Sequence, residues 1–174
     1  MICLRCVVSI EFTNMLIRKA HAADAAAILD IILPTIREGS TYALDNAMAD
    51  SEAIAYWTSA EKETFVAEDG GLVVGTYYLK ANQAGGGRHV CNCGFMTKAS
   101  ATGRGVAKRM CQHALAHAKA QGYKAMQFNF VVSTNDRAVR LWQSMGFEIV
   151  GRLPLAFWHP HKGYVDALVM YQQL

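Results

Sequence analysis

At 174 residues, 52% of them apolar and 18% charged, the chain can bury one sizeable core, and its 14 glycines and 3 prolines are too few for a disordered or collagen-like chain. Its net charge of +3 is spread without a basic run, which suits a small anionic ligand and leaves no nucleic-acid footprint. Apolar stretches fall far short of the roughly 20 residues of a membrane span, and five cysteines without the spacing of a disulfide scaffold point to a reducing compartment, so a soluble cytoplasmic protein is expected.

Residues 1–14 read as an extension of unassigned role that lacks the cleavage site of a secretory signal, and residues 15–174 read as a single domain. A short strand is expected at 16–18. A helix follows over 23–36, with Ile28, Ile31 and Ile32 on one face and Pro34 weakening its end. After the loop Gly39-Ser40-Thr41-Tyr42, Asp50 is the expected N-cap of a second helix carrying Ile54 and Trp57. The runs 64–67 and 72–79 flank Asp69-Gly70-Gly71, a hairpin signal, and 89–97 reads as the next strand. Val106, Met110, Ala114, Leu115 and Ala118 recur at helical spacing over 106–121, and Gly122 ends that helix. A strand at 125–132, a short helix through Ala138, Leu141, Trp142 and Met145, and strands at 147–151 and 165–171 complete an α/β domain with a mixed sheet.

Thr102-Gly103-Arg104-Gly105-Val106-Ala107 lies between a strand and an amphipathic helix, where unpaired backbone N–H groups and the helix dipole form a cradle for an anion. Two glycines before a helix also make an ordinary tight turn. The loop has neither the Gly-Lys-Ser/Thr of a P-loop nor the third glycine of a dinucleotide fingerprint.

Combined with the later pattern Asn135-x2-Ala138-x2-Leu141-Trp142-x3-Gly146-Phe147, this loop resembles the GNAT N-acetyltransferases, whose loop reads Arg/Gln-x-x-Gly-x-Gly/Ala. The chain matches at Gly105 and Ala107 and carries Thr102 in the Arg/Gln place. The resemblance implies a GNAT fold, with six to seven strands, helices on both faces and a V-shaped splay between the fourth and fifth strands. It implies acetyl-CoA as cosubstrate, its pantetheine arm held in the splay by backbone groups of Phe95, Met96 and Thr97. The pyrophosphate would rest on the N–H groups of Gly103, Arg104, Gly105, Val106, Ala107 and Lys108. The Asn135 amide would bond the arm, unless it serves only as a helix N-cap. Trp142 stands where many members carry the Tyr that protonates the leaving thiolate. An indole N–H does not titrate usefully, so water or another hydroxyl such as Tyr164 must serve.

Asn92 and Asn129 fall on the two strands expected to splay, and a mid-strand buried amide costs roughly 1–3 kcal/mol without partners. Facing one another they could hold an acceptor's polar head, or each could satisfy local backbone at a bulge. The segment Phe128-Asn129-Phe130 through Asn135, with Asn92, is similar to the fungal acetyltransferases of proline analogues such as azetidine-2-carboxylate. That similarity implies that these asparagines hold the substrate. Tyr42 and His159 are further pocket candidates. His113/His117, Cys3-x2-Cys6 and Cys91/Cys93 lack the spacing of a zinc site, and no metal is expected.

The expected activity is direct acetyl transfer to a small-molecule amine in a ternary complex, with a backbone N–H near Met96 or Thr97 meeting the oxyanion. A non-catalytic acyl-CoA-binding or sensing domain is the alternative, and a nucleotide-phosphate-binding module a weaker one. Neither nucleic acid nor membrane is an expected partner. The apolar final strand 165–171, taken as a sheet edge, suggests a homodimer.

Overall fold

The computed structural model describes residues 15–174, so the N-terminal extension and Cys3-x2-Cys6 lie outside the described residues. Seven strands form one sheet in the order β1-β2-β3-β4-β5-β7-β6. They are β1 Leu16–Lys19, β2 Glu63–Asp69, β3 Leu72–Ala81, β4 Val90–Thr97, β5 Ala125–Val132, β6 Glu148–His159 and β7 Gly163–Gln173. Only β4 and β5 run parallel.

Side-chain alternation along the central strands splits the core between the two faces of the sheet. On one face, α1 (Ala25–Glu38) and α2 (Asp50–Trp57) bury Ile28, Ile32, Ile36 and Trp57 against Val66, Tyr78 and Met96. On the other, α3 (Val106–Ala120) and α4 (Asp136–Ser144) bury Val106, Met110, Ala114 and Trp142 against Tyr77, Cys93, Met126 and Phe128. No helix among the described residues is long and apolar enough to cross a membrane.

Pro34 does not end α1. The helix continues to Glu38 because the buried isoleucine stripe extends to Ile36, and it stops at Gly39, whose φ of 63° is left-handed. Asp50 is the first residue of α2 rather than its cap. Ala49 caps it, donating its N–H to Glu52 Oε2 at 2.7 Å. The β2–β3 hairpin turns on Gly70 and Gly71, both at positive φ (58° and 78°), the backbone a two-residue primed turn requires.

The final pair of strands is longer than its apolar runs suggested, since β6 and β7 zip together from Glu148–Tyr171 to His159–Gly163. Trp158 and His159 therefore end a strand. β7 is interior, paired with β5 on one side and β6 on the other, so it cannot be the free edge on which dimerisation was argued. Its apolar residues fill the core, and the edge is β6.

Candidate active site

Parallel pairing of β4 with β5 covers only Val90–Ala125 and Cys91–Met126. Beyond Cys91 the strands part. Asn92 closes the apex by donating its amide to Gln127 O at 2.8 Å, a side-chain bond where the ladder stops. β5 then bulges: Phe128 pairs with Met170 and Val131 with Leu168, so Asn129 and Phe130 together face one residue of β7. The wedge is a cavity of about 340 Å³ lined by Tyr42, Tyr56, Tyr78, Lys80, Asn92, Phe95, Phe128, Asn129, Asn135 and Trp142, among others. Among the described residues, Lys80 is the one charged side chain of the lining. A second cavity of about 300 Å³ follows, lined by Thr97, Thr102, Gly103, Gly105, Val106, Ala107, Lys108, Arg137 and Leu141.

Hydrogen-bond parity along β4 decides which backbone groups face the wedge. Asn82 N–H donates to Val90 O and Lys98 N–H to Val74 O, so the even-numbered positions serve β3. Alternation turns Phe95 and Thr97 toward the splay and keeps Met96 in the β3 ladder. The expectation of a Met96 backbone contact to the arm is thereby corrected; its side chain is buried against α1 and α2. Phe95's groups are already engaged. The Tyr42 hydroxyl donates to Phe95 O and accepts from Phe95 N–H, both at 2.9 Å. Burial pushes the phenol pKa well above its usual value, so it stays a neutral donor.

In the glycine loop, Gly103 (φ 84°) and Gly105 (φ 77°) hold left-handed backbone that other residues rarely adopt, and the turn they make opens α3 with its first N–H groups unpaired. Arg104 is among the residues expected at the cofactor, yet its side chain lies outside both linings and pairs with the buried carboxylate of Asp69 at the β2–β3 turn. Only its backbone belongs to the loop. Arg137 adds a cation to the same lining as Lys108 that sequence reasoning missed; its place at the start of α4, just after Asn135, was the available signal. Two cavities of this size, the second lined by the N-terminus of α3, fit an elongated thioester with a phosphorylated tail.

Asn92 and Asn129 line the same cavity without bonding one another. Asn92 is buried, whereas Asn129 is exposed, accepts from Gln127 Nε2 at 2.8 Å and donates to Asn82 Oδ1 at 2.6 Å. Asn135 Oδ1 accepts from Ala138 N–H at 3.2 Å, so the residue is the N-cap of α4 as well as a lining group. Trp142 packs against Phe95 and Phe128, each with ring centroids 5.1 Å apart. Two expected candidates lie elsewhere. His159 is buried in the β6–β7 hairpin, accepting from His161 N–H at 3.1 Å, and Tyr164 is 66% exposed against Trp158; neither lines the cavity. His113 bonds Tyr77 Oη at 2.6 Å and His117 faces Glu63 at 3.3 Å. Burial pushes the thiols of Cys91 and Cys111 up to about 12, which makes them inert packing groups.

A parallel pair that opens into a wedge beside a glycine loop defines an acyl-CoA-type transferase architecture. The acetyltransferase (GNAT) family model matches residues 28–147, and the chain belongs to that family of N-acetyltransferases. N-acetyltransferase aca1 of Schizosaccharomyces pombe is 30% identical over 151 residues, covering 77% of this chain and 72% of that protein. A GCN5-related N-acetyltransferase of Kribbella flavida superposes with a TM-score of 0.87 at 41% identity, over 92% of this chain and 98% of that one. An acetyltransferase of Salmonella typhimurium, solved with acetyl-CoA, shares the fold with a TM-score of 0.82 at 22% identity, over 93% and 95% of the two chains.

Proposed function

We propose that the protein transfers the acetyl group of acetyl-CoA directly to the amine of a small molecule carrying an amino-acid-like head, an amino acid or a proline analogue, in a ternary complex. The observation that carries this reading is the order running back from the glycine loop along β4: Thr97 in the cavity of the loop, then Phe95 in the wedge, then Asn92 at its apex, with Asn129 in the same lining. Phosphates rest on the N–H groups of Gly103 and of Gly105 to Lys108, the Arg104 N–H being spent on Ala101 O at 3.3 Å, and Arg137 adds positive charge. The pantetheine arm pairs with Thr97, and the acceptor lies at the asparagine end.

The neutral amine attacks the thioester carbonyl, a C–N bond forms, the C–S bond breaks, and CoA leaves as thiolate to be protonated by water. The ammonium proton passes to solvent. A splay-facing N–H, that of Thr97 by parity, stabilises the oxyanion. Trp142 packs beside the thioester without exchanging a proton. Its presence in place of a Tyr is the observation favouring the second reading, a non-catalytic acyl-CoA-binding domain. Thiol release from acetyl-CoA over a panel of amino acids, proline analogues, simple amines and polyamines separates the two: turnover with amino acids is expected, and binding without turnover supports the second. A homodimer through the β6 edge is also proposed, supported by exposed Val150, Leu155 and Trp158. Light scattering at the 19.1 kDa monomer mass would refute it.

A further inference from the structure

The acceptor end of the wedge carries a charge the proposed asparagine contacts do not explain. Lys80 lies directly across from Asn92 in the β3–β4 register, at the apex and away from the glycine loop. Its ammonium reaches Glu61 at 3.0 Å, but that carboxylate is 63% exposed and lies outside the cavity. Behind the cavity wall sits a second cation. Lys62 is buried, donates to Tyr56 O, and places its ammonium 3.4 Å and 4.6 Å from the ring centroids of Tyr56 and Tyr78, both lining residues. Burial, reinforced by the charge of Lys80, lowers the Lys62 pKa to about 8. Two lysines therefore set the potential at this end; Glu61, outside the cavity, is their partner, and among the described residues no carboxylate lines the cavity itself.

Such a field penalises an acceptor whose only charge is positive and favours one that brings a carboxylate. The asparagines are neutral amides and cannot supply the matching charge, and each already spends one of its two amide N–H donors on the protein, Asn92 on Gln127 O and Asn129 on Asn82 Oδ1. A cationic wall also disfavours the protonated form of a nearby amine, which helps present the neutral nucleophile.

Building on the acceptor site proposed above, we propose that Lys80 is its specificity-determining residue, exchanging Glu61 for a carboxylate on the acceptor so that amines bearing a carboxylate are selected over neutral and polycationic ones. The test compares wild type, Lys80→Gln and Lys80→Arg on amino and imino acids, each beside its own carboxamide. Kinetics are run at saturating acetyl-CoA, and calorimetry measures binding of the same pairs to the CoA-loaded protein.

Wild type should prefer the acids by about 10–100-fold in kcat/KM, carried by KM. Lys80→Gln should bring acids and amides within about threefold of one another, the acids losing far more than the amides, and Lys80→Arg should keep most of the preference. Equal use of acids and amides by wild type overturns the proposal. So does a Lys80→Gln protein that loses both alike, because that is a structural defect. If no amine is acetylated yet acids bind through Lys80, the selectivity stands and the catalytic reading falls.

Discussion

The Tyr42 hydroxyl engages the main chain of Phe95 through both of that residue's polar groups, donating to its C=O and accepting from its N–H at 2.9 Å each. A loop between two helices is thereby tied to the strand that forms one wall of the wedge. The phenol offers one donor and one acceptor, as the amide of an incoming arm would.

Tyr42→Phe leaves both Phe95 groups unpaired in the empty cavity. A loss of about 1–2 kcal/mol is expected, equivalent to a melting temperature lower by roughly 2–8 °C for a chain of this size. Acetyl-CoA should restore more stability to the variant than to wild type if its arm takes over the Phe95 groups. Equal restoration in thermal melts would mean that Tyr42 keeps its bonds when the ligand is present.

Gly105 holds its φ of 77° at the entrance to α3, and among the described residues nothing beyond its chain neighbours lies within 4 Å of where a Cβ would project. Backbone strain and blocked ligand approach, rather than a clash inside the protein, are therefore what Gly105→Val introduces. Acetyl-CoA at 100 times its dissociation constant should stabilise wild type by about 2.7 kcal/mol and the variant hardly at all. ATP and NAD should stabilise neither. An undiminished acetyl-CoA shift in Gly105→Val would remove the loop from cofactor binding.

The two asparagines of the β5 end should separate by function. Asn129→Ala is expected to lower kcat/KM for the acceptor by roughly 10–100-fold, or about 1.4–2.8 kcal/mol of transition-state binding, with acetyl-CoA affinity kept. Because Asn129 is held by Asn82, Asn82→Ala should reproduce part of that loss. Asn135→Ala should instead weaken acetyl-CoA and cost about 1 kcal/mol of stability through the lost cap of α4. Calorimetry with acetyl-CoA alone and kinetics with acceptor varied check each variant. A cofactor defect in Asn129→Ala would reverse the assignment.

Acid stability should depend on the first strand. The Asp24 carboxylate accepts from Arg18 at 2.8 and 2.9 Å and from His21 N–H at 2.9 Å, and it is 5% exposed. The Arg18 guanidinium, foremost, lowers its pKa from 3.8 to about 2. A depressed carboxylate pKa contributes fully above the unfolded value and is lost as pH falls from about 4 to 2. Asp24→Asn should remove on the order of 1–2 kcal/mol at neutral pH and flatten stability across that window, as read from denaturant titrations at several pH values. An unchanged acid slope would show that other carboxylates govern it.

Much of the site could be read from local pattern. Periodicity marked α3, the glycines marked its entrance, and the spacing from Asn135 to Gly146 brought the second half of the family pattern into register. These features depend on neighbours within a few residues, where backbone sterics and helical repeat dominate. The Gly70-Gly71 turn is legible for the same reason: positive φ at both positions is a local demand.

Tertiary structure decided what lies between distant segments. A run of apolar residues in β7 reads alike at an edge or in the interior; pairing with β5 and β6 made it interior. Asn92 and Asn129 reach one cavity without touching, because a bulge and a bond to Asn82 set the direction of Asn129. Hydrogen-bond parity removed Met96 from the wedge, and Asp69 claimed the Arg104 side chain from 35 residues away. The sequence alone determined the family, the glycine loop and the helices that frame it, since local spacing specifies backbone shape. Only the fold determined which polar groups remain for a ligand, because strand pairing, burial and ion pairing between remote residues use up donors and charges that the linear chain leaves open.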